Sequence, residues 1–139
     1  MAKLMEIVVG LDGSPSSWRA FWFTLGMAAR ERAFIHVCFV LHLPAGSPAG
    51  PFVQPVPDLV PDDDGGELEP RANEEREAAG VEGKFTCAAG DVAGELEGLA
   101  ERRHADLLVL GRSPHPALHL GGVPRRLLTM GRRPVLVVP

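Results

Sequence analysis

The residues best placed to do chemistry gather between Gly111 and Val123. Gly111 closes an apolar run, and Gly121-Gly122-Val123 opens a basic amphipathic one. A loop with glycine at both ends, after a strand and before a helix, is where α/β proteins hold phosphates, because a helix start offers unpaired backbone N–H groups. Inside this loop Pro114 and Pro116 each remove a donor that a phosphate cradle would use, while Arg112, His115 and His119 offer side-chain donors instead. The two histidines stand four apart, but the prolines deny them a common helix, so a metal site there has little support. The other candidate is Asp12, the carboxylate at the end of the first apolar run. It can accept hydrogen bonds from a ribose or base, hold a cation, or simply make its own turn.

Composition bounds what these residues can serve. The chain has 139 residues and 45% apolar content, enough for one domain with a real core. Its net charge of −4 argues against a general nucleic-acid binder, although basic pairs occur at Arg102-Arg103, Arg125-Arg126 and Arg132-Arg133. No apolar run approaches the roughly 20 residues of a membrane span, and the N-terminus carries no signal-peptide pattern. The chain therefore reads as cytoplasmic. Cys38 and Cys87 read as free core thiols, since nothing resembles a disulfide framework or a metal motif.

The elements that must position the candidates follow from periodicity. Glu6 to Leu11 is a first strand, and Ser14 and Pro15 are suited to cap and open a helix running to about Arg32. Trp18, Phe21, Trp22, Leu25, Ala28 and Ala29 recur at helical spacing as a core face. Phe34 to Leu43 is a second strand. Pro44 to Gly66 is rich in proline and holds Asp62-Asp63-Asp64, which predicts a mobile insertion and not an internal strand. A charged, weakly held helix spans Glu67 to Ala79, with Pro70 in its first turn. Lys84 to Ala88 is a third strand, and Gly90-Asp91 turns into a helix from Val92 to His104. That helix has Val92, Leu96, Leu99 and Ala100 inside and Glu95, Glu97, Glu101, Arg102 and Arg103 outside. Asp106 to Leu110 is a fourth strand, and a short helix after Gly122 leads to a last strand at Pro134 to Val138. This alternation predicts an α/β fold: a doubly wound parallel sheet with helices on both faces. Ligands in such folds bind beyond the strand carboxyl ends where the strand order reverses. With the first strand beside the fourth, the crevice falls between Leu11-Asp12, Leu43 and the loop from Gly111.

These residues carry a resemblance. Val9-Gly10-Leu11-Asp12-Gly13-Ser14, Ala105 to Gly111, and Arg126-Leu127-Leu128 through Val138 together resemble the single-domain universal stress proteins. The resemblance implies their five-stranded sheet, of the adenine nucleotide alpha hydrolase-like type, with order 3-2-1-4-5. It implies one domain over residues 1–139 and a nucleotide site at Leu11, Asp12, Leu43, Gly111, Arg112, Gly121, Gly122 and Val123. Asp12 matches the family's adenosine-contacting acid, and Leu43 the strand residue whose backbone meets adenine. ATP-binding members carry a glycine, a second glycine after two residues, and a Gly-Ser or Gly-Thr pair after nine more. Here Pro114 takes the second position, six residues separate it from Gly121, and Gly122 replaces the hydroxyl residue. The resemblance thus implies a pocket for ATP or AMP with an altered phosphate side, weak or no ATP binding, and magnesium only alongside nucleotide. It also implies a homodimer through Val135, Leu136, Val137 and Val138. An apolar last strand at a sheet edge needs covering in any case.

The function expected is a regulatory, non-catalytic stress-response module. Two alternatives stand beside it: a fully ATP- or AMP-binding stress protein, and a module that binds an unknown protein partner through the proline-rich segment without a ligand. A nucleotide hydrolase has less support, because the only lysines, Lys3 and Lys84, lie away from the loop and no nucleophile–base pair is legible.

Overall fold

A computed structural model describes residues 3–42, 65–112 and 122–139. Among them the order is β1 (Glu6–Gly10), α1 (Pro15–Glu31), β2 (Phe34–His42), α2 (Gly65–Ala78), β3 (Gly83–Gly90), α3 (Val92–Arg103), β4 (Leu107–Gly111), α4 (Val123–Met130) and β5 (Val135–Val138). The strands form one parallel sheet in the order β3-β2-β1-β4-β5, so the order reverses between β1 and β4, as expected. The proline-rich stretch from 44 to 64 lies outside the described residues.

The pleat sorts the apolar runs into two cores. Ile7, Val9, Ile35, Val37 and Val109 pack against α1 and α2, while Val8, Cys38, Leu108 and Leu110 pack against α3 and α4. Both central strands are covered on both faces, which is why they read as unbroken apolar runs.

Ser14 caps α1 by accepting from the Ser17 N–H at 3.2 Å, and Pro15 is the first helical residue. Trp18, Phe21, Leu25 and Ala28 face the core, but Trp22 and Ala29 do not. Trp22 instead stacks on Trp18 and donates its indole N–H to Glu75 of α2. Arg71 of α2 lies over the Trp18 ring at 4.1 Å, a cation–π contact. Only Leu68 and Ala72 of α2 are buried among its described side chains, so aromatic and charged contacts supply much of its hold. The helix begins at Gly65, two residues early, which places Pro70 inside it and forgoes one backbone bond. β3 runs on to Gly90, because the whole edge of β2 is available to it. Cys87 of β3 is exposed and not a core thiol, unlike Cys38; β3 is an edge strand with less cover.

Glu97 also departs from expectation. It is buried and not on the outer face of α3, because Arg133 reaches in from the approach to β5 to meet it. Arg133 donates to Glu97 at 2.7 Å, to Glu101 at 2.8 Å, and to the carbonyls of Ala100 and Ala105. These bonds hold its guanidinium above the usual arginine range, Glu97 first among them, against the opposing effect of burial. This clamp ties the start of β5 to the end of α3. Arg133→Ala leaves a buried, uncompensated carboxylate and should cost about 3 kcal/mol in urea unfolding. Adding Glu97→Ala should recover part of the loss; a single variant as stable as wild type would remove the clamp from the account.

Candidate functional site

The site starts from a close contact in the backbone. A Cβ placed on Gly111 would stand 2.4 Å from the Ser16 carbonyl carbon and 2.6 Å from the Ser17 nitrogen. The first turn of α1 therefore lies directly on the end of β4. Ser16 secures it by donating its hydroxyl to the Arg112 carbonyl at 2.6 Å. Close approach is the role expected of Gly111, and the backbone that approaches it is the protein's own. The Arg112 N–H donates to the Val138 carbonyl at 2.7 Å, which ties the same exit to β5.

Beyond this contact, the ends of β1 and β4 part around a cleft of about 520 Å³, within the range of roughly 300–1,000 Å³ for small-molecule sites. Its floor is apolar: Leu11, Cys38, Val40, Leu96 and Leu110. Burial first, then the proximity of Cys87, pushes the Cys38 thiol up to about 12. At neutral pH it is a protonated, unreactive part of the floor. Asp12 stands at the lip, exposed. Its Oδ1 accepts from the Ser14 N–H at 2.8 Å, and its own N–H donates to Ser17 Oγ at 3.2 Å. The turn role and a position facing the cleft thus coexist in one residue.

Helices after parallel strands start at the end where the strands finish, so three helix starts meet here. Ser14 caps α1 and Asp91 caps α3, the latter accepting from the Gly94 N–H at 2.9 Å. Gly122 stands at the cap of α4 without a side-chain bond, and Pro124 adds no donor. Arg126, from the first turns of α4, pairs with Asp91 Oδ1 across the rim. That bond holds the Asp91 carboxyl below the usual carboxylate range; slight burial opposes it and the Gly94 N–H adds to it.

Six of the expected site residues, Leu11, Asp12, Gly111, Arg112, Gly122 and Val123, line this one cleft. Leu43, Gly121, His115 and His119 lie outside the described residues. Ser16, Asp91 and Arg126 were not foreseen in the site. Asp91 had a signal, since it reads as a helix cap and all caps in a parallel α/β sheet face the same end. Arg126 had a weaker one, four residues after Gly122. Ser16 had none, because its partner is nearly a hundred residues away.

The cleft combines an apolar floor, the Asp12 carboxylate at its lip and the Arg126 guanidinium at α4, so it can take a small molecule with an apolar face and a polar end. The universal stress protein family model matches residues 4–139. A universal stress protein family structure from Burkholderia pseudomallei is 28% identical, covers 96% of this chain and 95% of its own, and has a TM-score of 0.73. A universal stress protein solved in complex with cAMP is 26% identical, covers 99% of each chain and has a TM-score of 0.75. A third, from Archaeoglobus fulgidus in complex with dAMP, is 19% identical over 100% of each chain, with a TM-score of 0.69, and speaks to the fold alone. Comparison with curated proteins found no match. No described helix is long and apolar enough to cross a membrane.

The contact at Gly111 is testable against that at Gly10, where the nearest neighbours of a Cβ would be side-chain methyls of Leu110 and Leu96 and not backbone. Gly111→Ala must displace backbone and should destabilise by about 3 kcal/mol or more; Gly10→Ala should cost about 1 kcal/mol. Equal urea midpoints for the two variants would contradict this account.

Proposed function

We infer the function from one premise: the chain belongs to the universal stress protein family. It is a regulatory stress-response module of the cytoplasm that binds adenosine monophosphates better than ATP and does not turn them over. The cleft at the sheet's reversal point, with Asp12 at its lip, is the observation that carries this reading. The cAMP complex of a relative over 25% identical supports the ligand class.

The phosphate side is altered in kind. Pro114 and Pro116 lack donors, the loop is shortened, and Gly122 stands where a hydroxyl is expected. At the described end of that loop, Gly122 gives α4 no side-chain cap and Pro124 gives no N–H. A binding role is supported by the state of the nearby hydroxyls and thiol. Ser16 and Ser17 donate to backbone carbonyls, and Cys38 is protonated. Magnesium belongs here only with a bound nucleotide. Calorimetric titration should give AMP or cAMP binding and weaker or undetectable ATP binding. Asp12→Ala should weaken AMP about tenfold, the scale of a hydrogen bond to a charged group. Low-micromolar ATP affinity would overturn the altered-loop reading, and ATP turnover above the buffer background would overturn the non-catalytic one.

The assembly proposed is a homodimer through β5. Among the described strands β5 is at the sheet edge, with β4 as its one neighbour. It is apolar and carries Val137 exposed, which an isolated chain would leave open to pairing. Two copies related by a two-fold axis can pair these edges. Leu136 packs on the core, so Val137→Lys is the cleaner probe. It should convert a micromolar dimer to monomer in analytical ultracentrifugation, and a soluble dimer of that variant would exclude β5.

A further inference from the structure

The rim of the cleft holds a feature the nucleotide reading does not use. Asp91 and Arg126 line the cleft and pair with each other across the starts of α3 and α4. Their side chains are 48% and 44% exposed, so the pair is weakly held and open to exchange. The two partners differ in freedom. Asp91 is tethered, because its second oxygen accepts from the Gly94 N–H at 2.9 Å as the cap of α3. Arg126 sits on a long flexible stem on an exposed face.

We propose that this pair sets the charge of the ligand the cleft accepts: Arg126 is the phosphate contact, and the tethered Asp91 carboxylate beside it discriminates against highly charged phosphates. A phosphoryl oxygen can take Arg126 from Asp91, since phosphate is as good a charge-assisted acceptor as a carboxylate and the exposed pair it displaces is worth little. Asp91 cannot withdraw without uncapping α3, so it remains next to whatever anion replaces it. Repulsion then rises with ligand charge, least for a cyclic phosphodiester, more for a monoester, most for a triphosphate. Among the described residues lining the cleft, Asp12 and Asp91 offset Arg112 and Arg126, and His42 beside Asp91 is the remaining group able to carry positive charge, so the described lining carries no large cationic surplus for a polyphosphate. The inference rests on the adenosine reading of the cleft and names the residues that select within it.

Asp91→Asn tests it without disturbing the fold, because an asparagine oxygen also caps a helix. In low salt, titration of that variant should show AMP tightened about fivefold, the effect of removing one charge at contact distance in water. ATP should gain more than AMP, and adenosine should not change. Arg126→Gln should weaken AMP toward adenosine and abolish most of the gain from Asp91→Asn when the two are combined. If Asp91→Asn shifts adenosine and AMP alike, or neither, the charge-selection role is wrong. If Arg126→Gln leaves the AMP-to-adenosine ratio unchanged, Arg126 is not the phosphate contact. Failure of adenosine, AMP and cAMP to bind the wild type and both variants would overturn the nucleotide reading itself, and this inference with it.

Discussion

The first turn of α1 resting on the end of β4 is the constraint from which the site follows. It requires a residue without a side chain at Gly111, because the Ser16 backbone occupies that space. It also uses the Ser16 hydroxyl to hold the Arg112 carbonyl. With β4 pinned there and β1 leading into the Asp12 turn, the two strand ends can only open in one direction. The cleft is that opening. Its apolar floor is the top layer of the α3-side core joined by Leu11 from the α1-side core, and its polar lip is the capping chemistry of α1 and α3.

The groups that cap helices and close turns therefore also line the cleft. Asp12 closes a turn through one oxygen and faces the cleft. Asp91 caps α3 through one oxygen and meets Arg126 through the other. A carboxylate has acceptor capacity for both tasks, which is why short acidic residues recur at such positions. The consequence is rigidity. Groups held by the backbone they cap present fixed charge to the cleft, while the half-exposed Arg126 opposite Asp91 keeps its rotamer freedom.

Away from the cleft, two arginines attach edge elements in different ways. Arg133 is nearly buried and satisfied by two carboxylates and two carbonyls, so it acts as a tie between β5 and α3. Arg71 is exposed and acts through the face of Trp18, joining α2 to α1. Charged contacts thus add to the apolar packing that attaches β5 and α2.

Local chemistry in the sequence determined most of the fold. Unbroken apolar runs suited strands covered on both faces, Ser14-Pro15 suited a helix start, alternation of the two implied a doubly wound parallel sheet, and the family resemblance placed β1 and β4 at its reversal. From there the neighbourhood of Leu11, Asp12, Gly111, Arg112, Gly122 and Val123 was legible, because strand ends and helix starts share one side of such a sheet. Contacts between distant residues were not legible. Glu97 looked like a surface charge until Arg133 was placed beside it. Trp22 looked like core until α2 offered Glu75. Cys87 looked buried until β3 proved to be an edge with less cover. Periodicity reports which face of an element a side chain is on, and only the tertiary structure decides what stands opposite that face.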